Sequence, residues 1–114
     1  MATYDNLPVY KACYDLLLHL FKICRNMQRD YRFTLGESMK NELIKLMMNV
    51  FRANSVIEKR DYIQAARECL EIVRLLLRLS HDLKQVSLKE YVLATTYIES
   101  IGKQLTAWHK SVKA

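Results

Sequence analysis

Glycine and proline are nearly missing from this sequence: Gly36, Gly102 and Pro8 are all that 114 residues contain. Sandwiches, β-barrels and Rossmann-type α/β units need many tight turns, and tight turns draw on these two residues, so those classes are excluded. Long apolar runs are also lacking. The leucine triplets at 16–18 and 75–77 are far shorter than the roughly 18 residues that suggest a membrane span. The stretch before Pro8 has neither the basic start nor the apolar run of a secretory leader, so a cytoplasmic protein without membrane contact is expected.

Cysteine is sparse as well. Cys13, Cys24 and Cys69 are odd in number, widely spaced and set among apolar neighbours, which reads as reduced core thiols rather than a disulfide framework. No two of them share the short spacing of a zinc knuckle. The three histidines, His19, His81 and His109, follow Leu16, Arg78 and Thr106 at the third position, so the Glu-x-x-His pair of di-iron bundles is missing. No phosphate loop, nucleophile elbow or zincin motif occurs. His81-Asp82 is an isolated pair near a helix end, where a cation beside the helix dipole explains it without catalysis. These absences point to a protein that is not an enzyme and takes no cofactor or metal.

What is present is helical. With 51% hydrophobic and 26% charged residues, the chain has the balance of a single compact domain over residues 1–114. The spacing predicts four helices at about 7–28, 35–54, 60–84 and 88–111. Asn6 before Leu7-Pro8 reads as a cap with proline in the first turn. Thr34 to Glu37 and Ser87 to Glu90 both match the capping box, in which each side chain satisfies a free amide of the first turn. Residues 29–33 read as the break before the second helix.

On the first helix, Val9, Tyr10, Cys13, Leu16, Leu17, Leu20, Phe21, Cys24 and Met27 cover more circumference than one core face needs, which is consistent with a subunit interface. The third helix sets Ile63, Ala66, Leu70, Val73, Leu76, Leu77 and Leu83 inward, and Arg60, Gln64, Arg67, Glu71, Arg74, Arg78 and His81 outward. The fourth has a narrow seam of Tyr91, Ala94, Ile98, Ile101, Leu105, Trp108 and Val112. Four helices with short links give an all-α, antiparallel up-down-up-down bundle.

The formal net charge is +6, a bias that suits either a polyanionic partner or simply a soluble basic surface. Two patterns stand out. Arg60, Arg67, Arg74 and His81 recur every seven residues, with Arg78 one turn beyond Arg74. Glu71 can pair locally with Arg67 or Arg74, and residues 58–86 are only +1 overall, so a solvated face stands beside a binding face as a reading. At the other end of the chain Lys103, Lys110 and Lys113, with His109, form a basic end that contains no acid from Leu105 onward. Such residues can contact phosphates, or they can merely complement a helix dipole. The periodicity makes Trp108 a packing anchor rather than a base-stacking platform.

Several ordered strings carry a resemblance. Leu7-Pro8-Val9-Tyr10 leads into the first helix, and Tyr31-Arg32-Phe33-Thr34-Leu35-Gly36-Glu37 into the second. Leu75-Leu76-Leu77-Arg78-Leu79-Ser80-His81-Asp82-Leu83 then precedes Ile101-Gly102-Lys103-Gln104-Leu105-Thr106-Ala107-Trp108. In this order they are similar to the four-helix-bundle family that contains Avd, the accessory variability determinant of diversity-generating retroelements. The proteins encoded by intervening sequences of 23S rRNA genes resemble the first two helices as well. Those relatives have a small-residue, proline-containing stretch where this chain reads Met47-Met48-Asn49-Val50-Phe51-Arg52-Ala53-Asn54.

The resemblance implies a cytoplasmic pentameric barrel of four-helix protomers. It also implies a noncatalytic accessory role, with a basic surface that contacts the reverse transcriptase and RNA or DNA during mutagenic cDNA synthesis and retrohoming. The alternative is an RNA-associated bundle of the intervening-sequence type without a polymerase partner. The charge pattern, rather than a matched motif, makes Arg60, Arg67, Arg74, Arg78, Lys103, Lys110 and Lys113 the candidate contacts.

Overall fold

The computed structural model describes residues 3–112. Four long helices carry the fold: α1 (Pro8–Arg25), α2 (Glu37–Ser55), α3 (Arg60–Asp82) and α4 (Leu88–Ser111), and no strand occurs among the described residues. Each helix packs on its neighbours in sequence, and α1 closes the ring against α4. The longest helices, of 23 and 24 residues, span about 35 Å at 1.5 Å per residue, matching a body of 43 × 23 × 22 Å. The ends fix the directions. Gln28 at the α1–α2 link donates its backbone N–H to Gln85 Oε1 of the α3–α4 link at 2.8 Å. At the opposite end Arg60, opening α3, donates to the Val112 carbonyl just after α4. The bundle is therefore antiparallel, up-down-up-down.

One apolar core runs its length. Leu16, Leu20 and Ile23 of α1 meet Leu43, Leu46 and Val50 of α2, Leu70, Val73 and Leu77 of α3, and Ile98, Ile101 and Leu105 of α4. Burial of these stripes, rather than helix propensity, holds the helices together. Among the described residues, the buried polar side chains Ser80 and Asn49 are satisfied within their own helices: Ser80 donates to the Leu76 carbonyl at 2.8 Å, and Asn49 to that of Lys45 at 3.1 Å. Cys13, Cys24 and Cys69 are free and buried, as expected of core thiols. Leu83, placed inward by its spacing, is exposed, while Cys69 and Ser80 take core positions on α3.

The Ser87 capping box forms in full, with Ser87 Oγ accepting from the Glu90 amide and Glu90 Oε1 from that of Ser87. The Thr34 box does not form. The chain is already helical at residues 29–31 and passes through a π-helical turn at 32–36 into α2. Thr34 Oγ1 instead donates back to the Asp30 carbonyl at 2.9 Å, a bond available only inside a helical turn. The break is shorter and earlier than the sequence pattern suggests, covering Asn26, Met27 and Gln28. Asn6 does not cap α1 either: it lies in a 3-10 turn and bonds Thr3, leaving Leu7 as the uncapped residue before Pro8.

Candidate functional site

The heptad of arginines and the lysines of α4 meet along one groove. Seven-residue steps keep Arg60, Arg67 and Arg74 on the side of α3 that faces α4, and Lys103 and Lys110 sit on the near side of α4. Gly102 and Thr106 form the floor between them. The helices are close here: a Cβ on Gly102 would stand 3.4 Å from a Leu70 methyl and 3.8 Å from Arg74 Nη2. Arg67 and Arg74 are thus half-buried in the helix interface rather than fully outward, as the periodicity had suggested.

The charges are unequally free. Arg74 reaches Glu71 on its own helix at 3.3 Å and bonds Glu99 across the groove. That bond, followed by the charge of Arg74, holds the Glu99 carboxyl below its ordinary range. Glu71 and Glu99 thus offset the charge of Arg74. Arg67 donates to Gln64 at 3.1 Å and does not pair with Glu71. Among the described residues, none of Arg60, Arg67, Lys103 and Lys110 takes part in an ion pair, so these four carry the groove's unpaired charge. Partial desolvation, with Arg60 and Arg67 nearby, pulls the His109 imidazole below its usual range, which places that ring at the basic end of the groove.

The remaining candidates divide. Arg60 lies at the groove's end, through its bond to Val112. Arg78 is exposed, 4.0 Å from Asp82, and does not line the groove. Lys113 lies outside the described residues. His81 stacks on Tyr91 with ring centroids 4.5 Å apart and lies 3.9 Å from Asp82, an arrangement that joins α3 to α4. Trp108 packs against the core, as its heptad position predicts. Glu99 was not legible as a partner of Arg74, because the register between two helices is not written in either one.

Burial raises the thiols, Cys13 to about 12 and Cys69 to about 11, with Cys24 also shifted upward, so all three are protonated at neutral pH. Among the described residues no group of three or more His, Cys, Asp or Glu side chains could hold a metal ion. Nor is any helix there long and apolar enough to cross a membrane.

A second surface is apolar. Tyr10, Tyr14, Leu17, Ile44, Met47, Met48 and Phe51 line a groove between α1 and α2, with Leu18 and Phe21 exposed on α1. Tyr10, Leu17 and Phe21 belong to the surplus circumference expected of the first helix, and none of the described residues covers this face.

Comparison with known proteins yields one family. The model of the bAvd-like family matches residues 8–112, all four helices included. No curated protein matches the chain significantly.

Proposed function

The chain belongs to the bAvd-like family, and from that premise we propose that it is a noncatalytic accessory protein of a diversity-generating retroelement. In this reading it binds the reverse transcriptase together with RNA or DNA in the cytoplasm and supports mutagenic cDNA synthesis and retrohoming. The observation that carries the proposal is the family match across nearly the whole chain. The uncommitted cations Lys103 and Lys110, beside Arg60 and Arg67, support a polyanionic contact. A homo-oligomer, five-membered by the resemblance, would cover the apolar face of α1 and α2.

Coexpression with a reverse transcriptase encoded beside this chain, followed by native mass spectrometry with and without RNA, tests assembly and partnership together. Five copies bound to one polymerase is the expected species. A homo-oligomer that retains RNA but ignores the polymerase would overturn the accessory role in favour of the intervening-sequence type.

A further inference from the structure

The link between α1 and α2 brings together charges and an aromatic ring that the groove of α3 and α4 does not use. Residues 29–33 read Arg-Asp-Tyr-Arg-Phe. The π-helical turn that follows seats Gly36 against Cys24 and Met27, while Phe33 and Thr34 stay outside. Phe33 is 64% exposed, the most exposed of the phenylalanines. Phe51 lines the apolar groove, and the Phe21 ring lies under the Lys40 ammonium at 4.4 Å. Phe33 instead lies in the turn between Arg32 and Thr34, with Tyr31, Asp30 and Arg29 just before.

Two guanidiniums flank this ring. The Cζ atoms of Arg29 and Arg32 each lie over the ring, 6.0 Å from its centroid and at the outer limit of cation–π contact, and the residue is still 64% exposed. Among the described residues neither arginine forms an ion pair, and Arg32 Nε is buried without a hydrogen-bond partner. Lys40, the next cation along, is already paired with Glu37 at 3.2 Å. Arg29 is exposed and solvated, whereas the buried Arg32 Nε is costly to leave without a partner.

We propose that Arg29, Arg32 and Phe33 form a binding site for single-stranded nucleic acid, with an unpaired base stacked on the Phe33 ring and the adjoining phosphates held by the two guanidiniums. This rests on the nucleic-acid binding proposed above but assigns it a second surface, at the opposite end of the bundle from Arg60 and Lys110. An open ring is sequence-tolerant because every base has a π face, and the flanking arginines supply the charge that follows the backbone. A duplex offers no free base face to such a ring, which sets the expected preference for single strands. The two guanidiniums beside the ring favour a polyanion over an apolar protein surface.

Fluorescence anisotropy at fixed ionic strength, with labelled 20-nucleotide oligouridylate, the matching oligothymidylate and an RNA duplex, tests the site. Phe33→Ala is expected to weaken single-strand binding about 5- to 150-fold, the range of one lost base stack, while leaving duplex binding and the melting temperature unchanged. Phe33→Trp should restore it. Arg29→Gln with Arg32→Gln should flatten the salt slope by about 1.4 for two lost phosphate contacts. Photo-crosslinking of a 5-iodouracil oligonucleotide should map to Phe33, and comparing the two oligonucleotides tells RNA from DNA. If Phe33→Ala binds single strands within twofold of the wild type, this site is wrong while the groove stands. A wild type that binds no oligonucleotide removes both. Loss of polymerase binding in Phe33→Ala, with oligonucleotide binding intact, would make the corner a protein-docking surface instead.

Discussion

Gly36, just before α2, lies so close to Cys24 of α1 that a Cβ placed on it would stand 3.1 Å from Cys24 Sγ and 3.4 Å from its Cβ. Its backbone is ordinary helix, with φ −61° and ψ −50°. What the position requires is therefore space, not conformational freedom. Alanine here would gain about 1 kcal/mol of helix propensity and lose a comparable amount to crowding. The expected outcome is near-neutral stability for Gly36→Ala alone, and a gain of about 1 kcal/mol when it is made in a Cys24→Ala background. Chemical denaturation of the four members of this cycle measures the coupling; additive effects would show that the contact does not limit the packing.

The two capping boxes make a matched comparison. Ser87→Ala removes the acceptor for the Glu90 amide and is expected to cost about 1 kcal/mol. Thr34→Ala removes only a bond to the Asp30 carbonyl inside a helical turn, and its effect should stay within about 0.5 kcal/mol. Thermal melts of both variants decide this. Equal losses would mean that Thr34 caps α2 after all.

That contrast also marks what the sequence could and could not reveal. Residues that recur every three or four positions report burial directly, which is why Leu16, Leu70 and Ile98 were all legible as core. A four-residue motif reports only local bonding options, and Thr34 had another option in the π-helical turn. The arginine heptad was visible because it repeats along a single helix. Its neutralisation was not, because the Arg74–Glu99 bond depends on how far α3 and α4 slide past each other. Arg29, Arg32 and Phe33 repeat with no period, and only the folded turn sets them side by side.

Lys84 closes α3 in the left-handed region at φ 62°, where its amide bonds the His81 carbonyl and that of Gln85 bonds the Ser80 carbonyl. A side chain at this position costs about 1 kcal/mol relative to glycine, which adopts the conformation freely. Lys84→Gly is expected to raise stability by that amount, and Lys84→Val to lower it through branching at Cβ. Urea titration with an unchanged m-value would confirm that only the cap has changed.

The buried thiols predict a direction with pH. Cys13 titrates near 12 in the folded chain, against 9.0 for an ordinary thiol. Between those values the unfolded chain has released its proton and the folded chain has not, so the folded state binds more protons and stability falls as pH rises. The contribution is intact below pH 9 and is lost as pH climbs toward 12. Melting temperatures from pH 8 upward should decline through this window, less steeply in Cys13→Ala. At pH 8 a thiol reagent should leave the native protein unmodified and label all three cysteines in guanidinium.

The groove of α3 and α4 makes a prediction of opposite signs at neighbouring positions. Arg74 is held by Glu71 and Glu99, and Lys103 stands uncommitted beside them. Glu99→Gln removes one negative charge and frees Arg74 to face a phosphate. Nucleic-acid affinity at low salt should therefore rise several-fold, with a salt slope steeper by about 0.7 to 0.9 for one added contact. Lys103→Gln should move both quantities the other way. Neither change should disturb the fold greatly, because Arg74 and Glu99 are 39% and 55% exposed and solvent screens such a pair. Filter binding across a salt series reads both slopes. If both variants track the wild type, the cations of this groove do not meet phosphate, and the affinity of the protein for nucleic acid must come from another surface.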